Sequence, residues 1–324
     1  MCTAITFFPK DHYFGRNLDL EVSLNEQVII TPRKFPFHYR HTETHTFHSA
    51  LIGMGIIVDG YPLYYDAMNE DGLSMAALNF PKNAVYHDFL DGQHNIASFE
   101  LIPWILCHCK TVTEAKFYLK QTNLIHENFN SSIPPSPLHW IVADKNASIT
   151  VESVAEGLKI YDNPVGILTN NPTFDYHMKN LENYLSLTNE EPPNRFLPAL
   201  DLKPYSLGMG AIGLPGDLSS TSRFVRAAFT KFHSRYGETE SFAISQFFHI
   251  LGSVGQSYGC TKTGDRYEYT VYTSCCNMDK GLYYYTTYEN SQINAVSLFS
   301  ENLDTESIIR YPLVKGQKIR WINK

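Results

Sequence analysis

Short apolar runs rich in β-branched and aromatic residues make up much of the first eighty positions, and turn-forming Gly, Pro, Asn and Asp residues separate them. This pattern predicts β-strands. We place strands at residues 2–8, 27–31, 51–58 and 73–79. Residues 13–19 follow a turn and are expected to pair with residues 2–8 as a hairpin, which would bring them close to the amino terminus.

Helices are predicted farther along the chain, where apolar residues recur at helical spacing, at residues 98–109, 115–121, 174–187, 222–236 and 241–254. Thr111 and Glu114 have capping-box spacing and predict the start of the second helix. Further strands are expected at residues 139–143, 148–153, 158–161, 267–275, 282–288 and 293–299. Blocks of strands alternate with blocks of helices, which favours a layered α/β domain with mostly antiparallel sheets.

Composition and charge narrow the possible partners. The formal net charge is −7 and no basic cluster interrupts it, which argues against nucleic acid. No apolar stretch approaches the roughly 18 residues of a membrane span, and no basic segment followed by an apolar run suggests a secretory signal. The six cysteines are therefore expected to be reduced thiols in a cytoplasmic protein. The 21 Tyr and 20 Phe residues suit a large core or an amphipathic ligand.

Cys2 directly follows the initiator methionine and is the first candidate for chemistry. Removal of Met1 would place a thiol and a free α-amine on one residue. An α-amine titrates near neutral pH, so Cys2 could supply both a nucleophile and its base. The alternative is a small buried residue at the start of a strand, and position two alone favours that alternative.

Arg16 and Asp19 lie on the predicted partner strand of the first hairpin. A guanidinium close to Cys2 would favour the thiolate, and a carboxylate could hold the terminal amine. A surface ion pair of little energetic value is the alternative interpretation.

Two asparagines and a third charged residue complete the candidates. Asn79 and Asn170 each end an apolar run, where asparagine either forms a turn or directs its amide at a developing oxyanion. Arg223 lies near the start of the helix predicted at 222–236, where a cation opposes the helix dipole. That position suggests an anionic neighbour.

Three other patterns have a structural interpretation. Residues 208–213 match G-x-G-x-x-G, but no strand is predicted before them and Pro215 interrupts the following helix, so we reject a dinucleotide site. The histidines His41, His45 and His48 fall in a polar segment that we expect to be a solvated loop. The paired cysteines are expected in the core; they are Cys107, Cys109, Cys275 and Cys276.

Taken together, the candidate residues resemble the choloylglycine hydrolase family, and within it the bacterial bile salt hydrolases. The residues that carry this likeness are Cys2, Arg16, Asp19, Asn79, Asn170 and Arg223. Further segments are also similar to the family, namely residues 11–17, 61–67, 138–140, 162–166, 213–217 and 245–251. The resemblance covers essentially the full chain and favours Cys2 as a nucleophile.

The resemblance implies an α+β N-terminal nucleophile hydrolase fold, in which two antiparallel sheets lie between helical layers in the order αββα. It implies one catalytic domain over residues 1–324, with Met1 removed. Cys2 would attack the amide of a glycine- or taurine-conjugated bile acid, such as glycocholate or taurocholate, and form a thioester. The family also implies a homotetramer, and no metal or organic cofactor.

The resemblance further assigns a role to each candidate. The α-amine of Cys2 would be the base, Arg16 would tune the thiolate, and Asp19 would orient the amine. The backbone N–H of Asn79 and the side chain of Asn170 would form the oxyanion hole. Arg223 would support this charged cluster.

Five residues are expected at the substrate pocket, four of them in segments that would form apolar loops: Leu18, Tyr65, Phe129 and Ile133. Leu207 is the fifth and a departure, because close relatives often carry arginine there. An arginine could meet the sulfonate or carboxylate of the conjugate and leucine cannot, so the preference between taurine and glycine is open.

Three other functions remain open. A penicillin V acylase would share the fold and the nucleophile, although such enzymes often carry tyrosine at the position of Asn79. A binding protein on the same scaffold would lack turnover. A metal-dependent hydrolase that uses the histidines is the most distant of the three.

Overall fold

The computed structural model describes residues 1–323, and strands make up most of its regular structure. In chain order the strands are β1 Cys2–Phe7, β2 Tyr13–Leu20, β3 Gln27–Thr31, β4 Leu51–Val58, β5 Tyr61–Asn69, β6 Ser74–Asn79, β7 His94–Ala97, β8 Thr122–Ile125, β9 Leu138–Ala143, β10 Ser148–Val154, β11 Gly157–Asp162, β12 Ile167–Leu168, β13 Thr261–Thr263, β14 Arg266–Asn277, β15 Leu282–Thr287, β16 Asn290–Ser297 and β17 Ile309–Pro312.

Helices are fewer than the strands. They are α1 Leu101–His108, α2 Val112–Leu119, α3 Phe174–Asn180, α4 Ser220–His233 and α5 Glu240–Gly252. Single 3₁₀ turns occur at Leu181–Tyr184, Met209–Ala211 and Leu298–Ser300.

Two antiparallel sheets stack face to face in the middle of the molecule. The first, which we call the nucleophile sheet, has the order β12-β1-β2-β14-β15-β16, and β13 extends β14. The second, which we call the facing sheet, has the order β11-β10-β9-β6-β5-β4-β3-β17. Helices α4 and α5 pack on the nucleophile sheet, and α1 and α2 pack on the facing sheet. The predicted αββα layering is thus confirmed.

Strand β1 is buried along its whole length because both of its faces are covered. One face meets helices α4 and α5, and the other contacts β6 of the facing sheet. A strand covered on both faces needs apolar or hydrogen-bonded side chains at every position. The sequence of β1 meets this condition, since Ala4 and Ile5 are apolar and Thr6 has hydrogen-bonding partners in Gly166 and Lys231.

Helix α2 has its N-cap at Thr111, as the capping-box spacing predicts, although it runs over Val112–Leu119 and not over residues 115–121. The Thr111 side chain accepts a hydrogen bond from the Glu114 backbone N–H at 3.2 Å. Glu114 turns back to accept from the Lys110 N–H at 2.6 Å, one residue before the position that a capping box uses. The cap therefore satisfies N–H groups on both sides of Thr111.

Several boundaries differ from prediction. The helix predicted at 98–109 begins at Leu101, and the one predicted at 174–187 ends at Asn180 before a 3₁₀ turn. Strand β5 was not predicted, although it is central to the facing sheet. It begins with Tyr61 and Pro62 and carries Asp66 in its middle, and proline and aspartate are both depleted in strands.

Two alternative sites can now be placed. Residues 208–213 surround the 3₁₀ turn Met209–Ala211, and no strand precedes them between Leu168 and Gly208. Within residues 1–323, no group of three or more His, Cys, Asp or Glu side chains could hold a metal ion. The expectation of a solvated loop is wrong for His48, which is buried and bonded to the carbonyls of Phe35 and Ser49.

The remaining expectations concern cysteines and membranes. Four of the cysteines lie in the core as predicted, namely Cys107, Cys109, Cys275 and Cys276. Among residues 1–323, no helix is both long and apolar enough to cross a bilayer.

Candidate active site

Cys2 lies at the start of β1, opposite Leu18 on β2, and its residue is 2% exposed. Nη2 of Arg16 approaches the Cys2 Sγ at 2.6 Å. The other terminal nitrogen, Nη1, donates to the backbone carbonyls of Tyr65 and Ala77 on the facing sheet. Arg16 therefore bridges the two sheets, and these carbonyls aim its guanidinium at the thiol.

Arg16 remains a cation although it is fully buried. Burial alone would lower the pKa of Arg16, but the negative charges that Cys2, Tyr272, Asp66 and Asp19 can carry outweigh it, so the pKa of Arg16 is raised. A permanent buried cation against a thiol stabilises the thiolate.

Asp66 lies behind Arg16 and was not predicted as part of the site. Its carboxylate accepts hydrogen bonds from Tyr272 at 2.6 Å, Tyr283 at 2.7 Å and Ser274 at 3.3 Å. Burial raises the pKa of Asp66, while Arg16 and the two tyrosines oppose that shift. The available signal was a lone acid within the apolar segment 61–69, and it was missed together with strand β5.

Asp19 lies three residues after Arg16 on β2 and is fully buried. Its Oδ1 accepts from the Thr270 hydroxyl at 2.7 Å, whereas its Oδ2 is buried without a hydrogen-bond partner. Burial raises the pKa of Asp19, opposed by the charges of Arg223, the terminal ammonium and Arg16. One carboxylate oxygen thus remains available beside the amino terminus.

Met1 is present, so the α-nitrogen of Cys2 is part of a peptide bond and is not a free amine. The terminal amine of Met1 donates to the Asp19 carbonyl at 2.9 Å and to Glu268 Oε2 at 2.5 Å. The Met1 carbonyl accepts from the Asp19 N–H at 3.0 Å. The structure therefore shows the geometry of the unprocessed chain.

Asn170 joins three parts of the site through one side-chain amide. Its Oδ1 accepts from the Cys2 N–H at 2.8 Å and from Arg223 Nη2 at 2.7 Å. Its Nδ2 donates to the Asn79 carbonyl at 2.7 Å. These contacts fix the amide and leave its second Nδ2 hydrogen free to meet an oxyanion.

Arg223 lies at the fourth position of α4 and is completely buried. It donates to the Cys2 carbonyl, to the Thr3 hydroxyl at 2.7 Å and to the Leu218 carbonyl at 3.0 Å. Burial lowers the pKa of Arg223, and the charges of Asp19, Cys2 and Glu268 oppose that shift. These are the anionic neighbours that its position on the helix suggested.

His177 supports Asn170 from the other side. It lies on α3, is fully buried, and its Nε2 lies 2.9 Å from the Asn170 carbonyl. Burial lowers the pKa of His177 to about 4, so the ring is neutral at neutral pH. Neither this residue nor Glu268 was predicted, because neither carries a recognisable local motif.

A cavity of about 570 Å³ opens beside Cys2, and apolar side chains dominate its lining. Four predicted pocket residues border it, namely Leu18, Tyr65, Phe129 and Ile133. Cys2, Arg16 and Asn79 border it as well. A second, more open cleft of about 620 Å³ touches none of the predicted catalytic residues.

Leu207 does not join the predicted pocket. It is 88% exposed in the segment between Tyr184 and Met209, and it is absent from the cavity lining. The physical reason is that this segment runs outside both sheets, with Phe196 and Tyr205 equally exposed beside it.

Comparisons with known proteins agree with one another. A family model described as linear amide C–N hydrolases, choloylglycine hydrolase family, matches residues 2–311. A bile salt hydrolase/transferase of Lactiplantibacillus plantarum is 58% identical, and the match covers 97% of each chain. The C2A mutant of a conjugated bile acid hydrolase from Clostridium perfringens superposes with a TM-score of 0.93 at 39% identity, covering 100% of each chain.

A more distant structure shares the fold alone. Penicillin V acylase from Agrobacterium tumefaciens gives a TM-score of 0.76 at 19% identity, with 97% of this chain and 92% of that one covered.

Proposed function

The chain belongs to the choloylglycine hydrolase family of linear amide C–N hydrolases, and from this premise we propose that it hydrolyses the amide bond of glycine- and taurine-conjugated bile acids. The observation that carries the proposal is the contact between the Cys2 thiol and Arg16 at the edge of a large apolar cavity. Relatives that match 97% or more of the chain are named a bile salt hydrolase/transferase and a conjugated bile acid hydrolase.

Acylation begins once Met1 is gone and the α-amine of Cys2 is free. That amine takes the proton of the thiol, and Arg16 stabilises the thiolate. The thiolate attacks the amide carbonyl, and the oxyanion binds the free Nδ2 hydrogen of Asn170 and the backbone N–H of Asn79. The ammonium then protonates the departing nitrogen, so glycine or taurine leaves and the bile acid remains as a thioester on Cys2.

Deacylation uses the same groups in reverse. The α-amine, again neutral, takes a proton from water as the water attacks the thioester carbonyl. The tetrahedral intermediate collapses, the C–S bond breaks, and the Cys2 thiolate regains its proton from the ammonium. Asp19 orients the amine through both steps, while Arg223 holds the Cys2 carbonyl and Asn170 in place.

The cavity suits the steroid part of such a substrate. Its volume of about 570 Å³ falls within the usual size of a small-molecule site, roughly 300–1,000 Å³. Leu18, Phe129 and Ile133 supply apolar surface, and Tyr65 adds a hydroxyl that is buried without a partner. Burial of the rings there leaves the conjugated end free to face Cys2.

A penicillin V acylase and a binding protein without turnover are the alternatives. Asn79 favours bile salts over penicillin V, and the complete set around Cys2 favours turnover over binding alone. The ratios of kcat/KM for glycocholate, taurocholate and penicillin V distinguish a bile salt hydrolase from a penicillin V acylase. A higher value for penicillin V would reverse the assignment.

Mass spectrometry of the intact protein, with a parallel glycocholate assay, tests the proposed function. We expect Met1 to be absent and glycine to be released. Activity should be lost in Cys2→Ala, because this variant lacks the thiol that Arg16 contacts at the edge of the cavity. Binding of glycocholate by Cys2→Ala serves as the control for folding. Protein proven to begin at Cys2 that releases neither glycine nor taurine would contradict the assignment.

We also propose that the chain assembles as a homotetramer. The support is a group of strongly exposed apolar side chains between residues 185 and 212, namely Leu185, Phe196, Tyr205, Leu207 and Ile212. Exposed apolar side chains that are concentrated in one region are typical of interaction sites, and a tetramer is the assembly that the family resemblance implies. Light scattering coupled to size exclusion measures the assembly, and a monomer at assay concentration would contradict it.

A further inference from the structure

In the unprocessed chain, the terminal ammonium contacts a carboxylate that has no role in the mechanism above. The Met1 ammonium forms an ion pair with Glu268 Oε2 at 2.5 Å. Glu268 lies on β14, opposite Thr261 on β13, and its side chain is 13% exposed. No other ion pair within residues 1–323 involves Glu268.

Removal of Met1 moves the terminal ammonium by one residue. Consecutive backbone nitrogens are separated by less than about 4 Å, so the new ammonium on Cys2 forms within roughly 6 Å of the Glu268 carboxylate. The same step deprives Glu268 of its partner. A mostly buried carboxylate without a counter-charge is unfavourable, so a small rotation toward the new ammonium lowers its free energy.

The new ammonium needs three hydrogen-bond acceptors, and the site offers them. Oδ1 of Asn170 already accepts from the Cys2 nitrogen at 2.8 Å. Asp19 Oδ2 is buried without a hydrogen-bond partner, and the Asp19 carboxylate interacts electrostatically with the terminal ammonium. The freed oxygen of Glu268 is the third.

We propose that Glu268 is a positioning residue of the mature enzyme: its carboxylate takes over the α-ammonium of Cys2 after Met1 is lost and sets the pH at which that amine becomes the base. The inference rests on the proposed function, because it concerns the base of that reaction. Glu268 acts through the amine and does not touch the substrate.

The charges around the amine decide the direction of the effect. The negatively charged groups in this region are Asp19 and Glu268, together with Asp66, which interacts with Arg16. On the positive side stand Arg16 and Arg223, and both guanidinium groups hydrogen-bond to Cys2. Loss of the Glu268 charge leaves two cations beside the amine and weakens the support for its protonated form.

The pH profile of taurocholate hydrolysis tests the proposal, since a sulfonate stays ionised throughout the range. We expect Glu268→Gln to move the acid limb of kcat/KM to lower pH by roughly one unit, because the neutral amide no longer stabilises the ammonium. Glu268→Asp is expected to restore part of the shift. Glu306→Gln, at an exposed position, is the matched control and should leave the limb in place.

A second measurement does not depend on turnover. The pH dependence of acetylation of the Cys2 α-amine, read by peptide mass spectrometry, should show the same shift between wild type and Glu268→Gln. A uniform loss of activity with an unmoved limb would overturn the proposal, and so would retention of Met1 by Glu268→Gln alone. Absence of both taurocholate and glycocholate turnover in wild type would count against the proposed function, and the acetylation profile would still decide the role of Glu268.

Discussion

At the scale of single residues, the site depends on two buried arginines that act on one cysteine from opposite sides. Arg16 contacts the thiol, while Arg223 contacts the carbonyl of the same residue. Buried cations are unfavourable without counter-charges, and Asp66 and Asp19 supply them. We therefore expect the exchange of either arginine for a neutral residue to lower the activity.

Arg16→Gln removes the cation beside the thiol and keeps a hydrogen-bond donor. We expect kcat/KM for glycocholate to fall by at least ~100-fold, because the thiolate loses its main electrostatic support. The rate of alkylation by iodoacetamide at neutral pH should fall in parallel. Arg195→Gln, at an exposed position, is the control. Equal alkylation rates in wild type and Arg16→Gln would show that Arg16 does not tune the thiol.

The sequence pointed to most of these residues by type and position, but it could not show their contacts. Cys2 was recognisable because it follows Met1, and Arg16 and Asp19 because they fall on the partner strand. Asp66 was missed because one acid in a short apolar segment has no local signature. Its role follows from its place behind Arg16 in the folded chain.

At the scale of elements, the register between β2 and β14 positions the site. Arg16 and Asp19 lie on β2, and their neighbours Ser274 and Thr270 lie on β14. Gly15 allows these strands to approach, since a Cβ at that position would lie 2.1 Å from the Ser274 carbonyl oxygen. The close approach brings the β14 side chains within hydrogen-bonding distance of β2.

Gly15→Ala should separate β2 from β14, because the added methyl meets backbone that cannot rotate away. We expect a loss of about 2–3 kcal/mol in the free energy of unfolding and a lower kcat for glycocholate. Urea unfolding measures the first and steady-state kinetics the second. Gly252→Ala is the matched control, since nothing lies within 4 Å of a Cβ there, and it should be neutral or stabilising. Equal stability of the two variants would refute this account.

Some strands could be predicted from the local sequence, whereas strand β5 could not. The runs at Gln27–Thr31 and Leu51–Val58 were placed correctly because their apolar residues are bounded by turn residues. Strand β5 was not predicted because Pro62 and Asp66 weaken its local strand pattern. Its neighbours β4 and β6 nevertheless hold it in the sheet, which is a tertiary effect.

At the scale of the whole molecule, the αββα layers bring distant segments to one point between the sheets and the helices. Asn170 and Arg223 meet Cys2 across separations of 168 and 221 residues. His177 lies on the far side of Asn170 and is neutral because of its burial. The site therefore forms only when the fold around it is intact.

Acid should destabilise the folded protein through His177. Its pKa is about 4 in the fold and about 6.5 in an unfolded chain, so the unfolded state binds the extra proton between these values. Stability should be unaffected above pH 7 and should fall by on the order of 3 kcal/mol as pH drops from 6.5 to 4.

Urea unfolding at several pH values checks this sign. His177→Gln should flatten the dependence between pH 6.5 and 4, whereas His38→Gln, at an exposed position, should leave it unchanged. A slope that is identical in wild type and His177→Gln would assign the acid sensitivity to other groups.

Local sequence was sufficient for the strands of the first hairpin and for the Thr111 cap of α2, since each depends on residues close together in the chain, whereas the proposal of Cys2 as nucleophile needed the resemblance along the whole chain. Tertiary structure alone decided that Asp66 stands behind Arg16, that Asn170 joins Cys2 to Asn79, and that Leu207 lies outside the cavity. The physical reason is that a local pattern records which positions are buried, whereas their partners are decided by how strands from both ends of the chain pair within one sheet and how the two sheets stack.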